Sequence, residues 1–153
     1  IIAFGLPMIL FLAIHNMFAW WQLTSANYIE HYGLLRMKDD DGRYERCQPH
    51  HSWNSNHLFS NLVLFHLERH SDHHAHPLRR YQSLRHFDDL PTLPSGYFGA
   101  YVLAWIPPLW YHVMDPKLIA LPHVAGNFER LNIDPGRRAD IVAKHGKAAE
   151  TPA

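Results

Sequence analysis

The sequence predicts an all-α protein in which a membrane-spanning helix precedes a histidine-rich helical region. Its 153 residues are enough for one domain. Two observations support the fold class: an apolar run without a charged residue, Ile1–Trp21, and a histidine-dense stretch, His66–His74, whose spacing suits a helix. A second uncharged stretch, Tyr97–Met114, is interrupted by two adjacent prolines.

The run Ile1–Trp21 has the length of a membrane span, because a helix rises about 1.5 Å per residue and a bilayer core is roughly 30 Å thick. Phe18, Trp20 and Trp21 lie at one end, where aromatic side chains favour the membrane boundary. We therefore predict a transmembrane helix over residues 1–22. Because the apolar run begins at the first residue, we expect the chain to be the C-terminal fragment of a longer membrane protein.

Helical elements are predicted to follow in the polar region 23–133. Thr24 or Ser25 can cap a second helix over Asn27–Leu35. The apolar-rich stretch that starts at Leu58 predicts a helix that continues to about His74, shortly before Pro77.

Two further segments complete the predicted organisation. Residues 97–114 are expected to form a broken apolar segment packed on the domain, because Pro107 and Pro108 interrupt them. Residues 134–153 have the composition of a loose polar tail.

Composition excludes several classes of protein. Lys plus Arg and Asp plus Glu each number 14, so no net positive charge favours a nucleic-acid partner. The single cysteine, Cys47, excludes an internal disulfide and a cysteine-based metal site. Histidine also numbers 14, and nine of these residues fall between His50 and His86. This enrichment indicates metal binding.

The histidines His66, His70, His73 and His74 share one face of the predicted helix, because positions i, i+4, i+7 and i+8 fall within an arc of roughly 100°. Imidazoles at this spacing can converge on one cation or on two neighbouring cations. Zinc, copper, iron and nickel all accept imidazole ligands, and spacing alone does not choose among them. The number of histidines suggests two metals, or one metal with histidines in its surroundings, and the membrane setting favours redox-active iron.

Six short segments carry a resemblance to a known family. The two longest are NYIEHYGLLR at 27–36 and LERHSDHHA at 67–75. The shorter ones are SWNSNH at 52–57, LPSGY at 93–97, PPLW at 107–110 and MDP at 114–116. Over roughly residues 1–120 the chain resembles the integral-membrane alkane 1-monooxygenases.

The resemblance implies a six-helix, multi-pass protein of the bacterial inner membrane with its catalytic face in the cytoplasm. It implies terminal hydroxylation of medium-chain n-alkanes to primary alcohols with O₂ at two non-haem iron ions. Electrons would come from rubredoxin and rubredoxin reductase. Two further histidine motifs are expected before residue 1, so this chain alone is expected to be inactive.

The family's iron ligands correspond to His31, His70, His73 and His74. His66, Glu68 and Asp72 are expected to surround these ligands, although the family commonly has glutamine where Glu68 stands, and Glu68 could instead face solvent. A substrate channel is predicted along the face of the first helix that carries Met8, Leu12 and His15.

The charges that follow the first helix predict its orientation. Arg36, Lys38 and Arg43 place the region after the apolar run in the cytoplasm. Two alternatives stay open: a histidine-motif fatty-acyl desaturase or hydroxylase, and a non-catalytic membrane domain that binds metal.

Overall fold

The computed structural model describes residues 4–149, and the regular structure of this part of the chain is helical, which confirms the all-α prediction. Isolated β-bridges and three short 3-10 turns connect the helices. The six α-helices are α1 (Pro7–His31), α2 (Leu58–Val63), α3 (His70–Ala75), α4 (Tyr97–Ala104), α5 (Pro107–Ile119) and α6 (Arg138–Ala149).

Helix α1 is a single element where the sequence predicted two. It begins at Pro7, whose fixed φ suits the first helical position, and it ends at His31. The expected cap at Thr24 or Ser25 is wrong. The Thr24 hydroxyl donates to the carbonyls of Trp20 and Trp21, each at 3.0 Å, so it bonds back within the helix and the chain continues without interruption.

The first part of α1 is apolar and exposed. Large side chains such as Leu10, Phe11 and Trp20 leave 59–66% of their surface uncovered. Residues 1–3 of the predicted span lie outside the described part of the chain. Of the helices within residues 4–149, none is both long enough and apolar enough to cross a membrane.

The long helix predicted from Leu58 to about His74 is instead two short helices, α2 and α3. Phe65 and His66 between them adopt left-handed φ values of 51° and 61°. The His66 N–H donates to the carbonyl of Asn61, five residues earlier in the chain, at 3.0 Å. This is the bond that closes a Schellman C-cap. Such caps usually contain glycine, and its absence here is why the sequence pattern indicated one continuous helix.

The C-terminal helices depart from the sequence predictions in one place. The apolar segment 97–114 is divided between α4 and α5, and α5 begins at Pro107 as its first residue. Within the predicted loose tail 134–153, residues 138–149 form α6, and residues 150–153 lie outside the described part of the chain. The segment is rich in alanine, lysine and arginine, which favour helix, and Asp140 lies in the first turn.

The core packs the end of α1 against α4, α5 and the loop before α2. Ile29, Trp53, Tyr97, Trp110 and Met114 have at most 1% of their surface exposed. Polar side chains are buried beside them: Glu30, His51, Ser52, Asn54, Ser55, Glu68, His70, Ser71 and Asp72. This polar layer positions the candidate site.

Candidate metal centre

Three imidazoles converge where the end of α1 meets the start of α3. The Nε2 atom of His70 lies 3.2 Å from Nε2 of His31 and 2.7 Å from Nε2 of His74. One ligand atom from each of the three histidines lies within 4.8 Å of the others. His70 is buried, His31 half-buried and His74 exposed, so the group opens on one side.

His31 is oriented by backbone. Its Nδ1 lies 3.2 Å from the His51 carbonyl oxygen, which can only accept, so Nδ1 carries the proton and Nε2 presents a lone pair. A metal-binding histidine commonly donates its other ring N–H in this way.

The chain then turns at Gly33, whose φ is +68°. A β-carbon there would lie 2.1 Å from Cδ2 of Leu118, so glycine lets α5 approach the end of α1.

Helix α3 is fixed at its first turn by a side chain from another segment. The Asn54 Oδ1 atom accepts from the Ser71 N–H at 3.0 Å, which satisfies a free donor at the helix N-terminus. The Asn54 amide donates to Ser71 Oγ and to the carbonyls of Ser52 and Pro91. Ser71 in turn donates to the Pro49 carbonyl. A helix of six residues is not stable alone, so these bonds hold His70 and His74 in place.

Asp72 fixes the other side of α3. Its carboxylate accepts from the Arg85 backbone N–H at 2.9 Å and from Arg85 Nη2 at 2.8 Å. Arg79 and His76 also lie within 3.4 Å of it. Burial alone would raise the pKa of Asp72, but the hydrogen bonds and charge of Arg85 outweigh burial and hold the pKa below its usual value.

The electrostatics favour neutral imidazoles. Burial, and then the neighbouring His74, His31 and His73, lowers the pKa of His70 to about 2. Burial followed by His31 and His73 also lowers the pKa of His74. A neutral imidazole is the form that binds metal, so these side chains have the protonation state that a metal site needs.

A buried carboxylate that the sequence did not single out lies beside the group. Oε2 of Glu30 is 3.3 Å from Nε2 of His70, and Oε1 accepts from the Tyr97 hydroxyl at 2.8 Å. Burial raises the pKa of Glu30 to about 7, although the Tyr97 hydrogen bond opposes this rise. Its position next to His31 in NYIEHYGLLR was a signal that could have identified it.

The other residues predicted for the site are placed apart from the three imidazoles. His73 is exposed, and its ring centroid lies 6.0 Å from that of His70. His66 does not share their face, because its left-handed backbone turns it toward the Tyr81 carbonyl, 3.2 Å from its Nδ1. Glu68 is fully buried and does not face solvent. It accepts from the Tyr97 N–H at 3.1 Å, and among residues 4–149 it forms no ion pair with a histidine.

The residues of the predicted channel lie far along α1. At about 1.5 Å per residue, Met8, Leu12 and His15 are roughly 24–35 Å from His31. An apolar cleft of about 350 Å³ lies between α1 and α4, closer to His31. Its walls include Phe18, Trp21, Phe98, Val102 and Trp105.

His50, His51 and His123 form a second group of histidines. The ring of His50 is 4.2 Å from that of His51 and 4.5 Å from that of His123. His51 also contacts the Glu45 carboxylate at 3.2 Å, and its Nδ1 accepts from the Gln48 N–H. Both ring nitrogens of His51 are therefore occupied by protein partners.

The donor set of the three-histidine group suits a transition-metal ion. Nitrogen ligands about 2.1 Å from a metal are separated by about 3.0–3.4 Å when they subtend 90–109° at it. The His31–His70 distance of 3.2 Å agrees with this spacing, whereas the His70–His74 distance of 2.7 Å is shorter. The carboxyl group of the buried Glu30 lies beside the three-histidine group. The donor set is typical of zinc, copper, iron or nickel.

Comparison with known proteins agrees with this chemistry. Residues 1–99 match the fatty acid desaturase family. The chain belongs to this family.

Its relatives include alkane 1-monooxygenases. The chain is 58% identical to that of Ectopseudomonas oleovorans over 146 residues, which is 95% of this chain and 36% of the relative. It is 60% identical to the Pseudomonas putida protein over 141 residues, 92% of this chain and 35% of the relative. A xylene/toluene monooxygenase hydroxylase component from Pseudomonas putida is 32% identical, over 80% of this chain and 30% of that protein. The chain thus spans about a third of the length of these relatives.

Proposed function

We propose that this family member belongs to an alkane 1-monooxygenase that converts the terminal methyl group of medium-chain n-alkanes to a primary alcohol with O₂. The observation that carries the proposal is the convergence of His31, His70 and His74 in a chain that is 58–60% identical to proteins of that name over 92–95% of its length.

The proposed cofactor is two non-haem iron ions. His31, His70 and His74 would hold iron, and His73, one residue from His74, would complete the contribution of α3. Bound iron supplies the redox chemistry that activates O₂, which no amino-acid side chain provides. The protein residues fix the imidazoles: His51 and Gly33 orient His31, while Asn54 and Asp72 hold α3.

The proposed substrate and surroundings are apolar. The cleft between α1 and α4 has aromatic and aliphatic walls suited to an alkyl chain. The exposed apolar side chains of α1 suit a lipid bilayer, which we propose to be the bacterial inner membrane, crossed several times. Arg36, Lys38 and Arg43 support a cytoplasmic position for the metal centre. There, rubredoxin and its reductase would deliver electrons.

The family match favours a second candidate, a fatty-acyl desaturase or hydroxylase, because the matching family is named for desaturation. The two candidates differ in substrate and product. An alkane monooxygenase releases a primary alcohol from octane, whereas a desaturase introduces a double bond into a fatty-acyl chain.

The test uses the native full-length protein in membranes, supplied with octane, O₂, rubredoxin, its reductase and NADH. We expect 1-octanol by gas chromatography and two irons per protein by elemental analysis. His70→Ala should abolish product, whereas His112→Ala, an exposed histidine of α5, should retain it. Octanol formation by the His70→Ala protein, or an unsaturated acyl product from the wild type, would contradict the proposal.

A further inference from the structure

Glu30 is a buried acid without a basic partner of its own. Only 4% of its surface is exposed, and within residues 4–149 its one ion-pair contact is with His70. Burying a carboxylate is costly unless a positive charge or several hydrogen bonds compensate it. The Tyr97 hydroxyl provides one hydrogen bond, which is too little for a full negative charge.

The contact that Glu30 makes indicates which positive charge would balance its carboxylate. Its Oε2 is 3.3 Å from Nε2 of His70, and this is the same nitrogen that faces Nε2 of His31 and of His74. Oε2 of Glu30 therefore lies beside the three-histidine group, although Glu30 is not one of the residues whose ligand atoms all lie within 4.8 Å of one another. A cation held by the three imidazoles would be the missing positive charge.

Tyr97 holds Glu30 in this position. The tyrosine is fully buried in α4, and its hydroxyl donates to Oε1 of Glu30 at 2.8 Å. Its backbone N–H donates to a second buried carboxylate, Glu68, at 3.1 Å. The two acids are thus both bonded to Tyr97, but Glu30 alone contacts an imidazole of the three-histidine group among the described residues.

We propose that Glu30 is the charge-balancing residue of the metal centre. Its carboxylate, 3.3 Å from Nε2 of His70, brings one negative charge to an otherwise neutral set of imidazoles, and Tyr97 orients it. This inference rests on the proposed function, because it takes the cation at the three histidines to be iron. The sequence assigned no role to either residue.

The experiment compares two isosteric substitutions in the native full-length protein. Glu30→Gln removes the charge beside His70 and keeps the side-chain shape, while Glu68→Gln does the same on the other side of Tyr97. We expect Glu30→Gln to weaken iron binding about 10-fold or more, the size of effect that residues surrounding a metal ligand have. It should also raise the reduction potential of the bound iron and alter its Mössbauer spectrum. Glu68→Gln should change none of these three properties.

A second pair of variants tests the role of Tyr97. Tyr97→Phe removes the hydroxyl that holds Glu30 and should reproduce part of the Glu30→Gln effect on the Mössbauer spectrum. Tyr44→Phe, at an exposed tyrosine outside α4, is the control and should match the wild type. Glu30→Asp retains the charge. Its reduction potential should therefore be closer to that of the wild type than the potential of Glu30→Gln is.

The outcomes distinguish a failure of the inference about Glu30 from a failure of the proposed function. If the wild type binds iron and forms alcohol while Glu30→Gln matches it in affinity and spectrum, the inference is overturned and the function stands. Equal losses in Glu30→Gln and Glu68→Gln would show a purely structural role and would also overturn it. A wild-type protein that binds no iron would overturn both.

Discussion

The first half of α1 and the region packed against its last turns differ in what they bury. From Ile9 to Phe18, large apolar side chains face outward, and Leu10 keeps 66% of its surface exposed. Around Glu30 and His31, carboxylates, amides and hydroxyls are buried, and Asn54 retains 3% exposure. Burial in these two regions therefore does not follow hydropathy, because apolar side chains are exposed in one and polar side chains are buried in the other. The difference shows that α1 is an apolar exterior at one end and part of a polar interior at the other.

The largest expected effect on stability comes from breaking the polar interior. Asn54→Ala removes an acceptor for Ser71 N–H and a donor to three partners, all of them buried. We expect the free energy of unfolding to fall by about 3 kcal/mol, because each buried polar group left without a partner costs about 1–3 kcal/mol. Thermal unfolding followed by circular dichroism measures this change.

Leu10→Ala is the control for that prediction. It removes a larger side chain from the exposed end of α1, and we expect a change within about 0.5 kcal/mol in detergent solution. If Leu10→Ala destabilised the protein more than Asn54→Ala, the contrast between the two regions would be wrong.

The next largest effect concerns the close packing that ends α1. Gly33→Ala combines a left-handed backbone with a clash against Leu118, so we expect a loss of about 2–3 kcal/mol. Gly42→Ala is a matched control, because Gly42 has a similar φ of +74° with no atom within 4 Å of the added β-carbon. It should cost about 1 kcal/mol. Equal losses in chemical denaturation would show that backbone strain alone, without packing on α5, accounts for the effect.

Much of this arrangement could be predicted from the sequence, and the exceptions have physical causes. Of the four histidines predicted as ligands from the family motifs, His31, His70 and His74 converge in the structure, and His73 lies outside this group. The break after α2 at Phe65 was not predicted. A phenylalanine with a left-handed φ depends on tertiary packing, and no glycine in the sequence marks the end of the helix. Glu30 was missed for a similar reason: a single acid in a motif has many possible roles, and only its distance from His70 reveals this one.

The smallest expected effect lies at the second histidine group. Burial and the neighbouring His50, His51 and Arg130 lower the pKa of His123 to about 4, although Glu45 opposes the shift. The unfolded chain therefore takes up a proton between pH 6.5 and 4 before the folded chain does, so stability is lost as pH falls through that range.

His123→Gln removes this titration. The wild type should lose on the order of 1 kcal/mol more stability than the variant between pH 7 and 4, a value reduced for partial solvent exposure. Urea titrations at the two pH values measure it. Parallel pH profiles for the two proteins would show that His123 has the same pKa folded and unfolded.

Gly33 also constrains how the gene can change. Every amino acid that replaces a glycine through one nucleotide substitution carries a β-carbon. At Gly33, two residues along the chain from His31, that atom would occupy the space of Leu118. A single-step mutation at the codon is therefore expected to displace α5 or the end of α1, which carries His31. A smaller residue at position 118 would relieve the clash but not the strain of the left-handed backbone, so the glycine codon is expected to be retained.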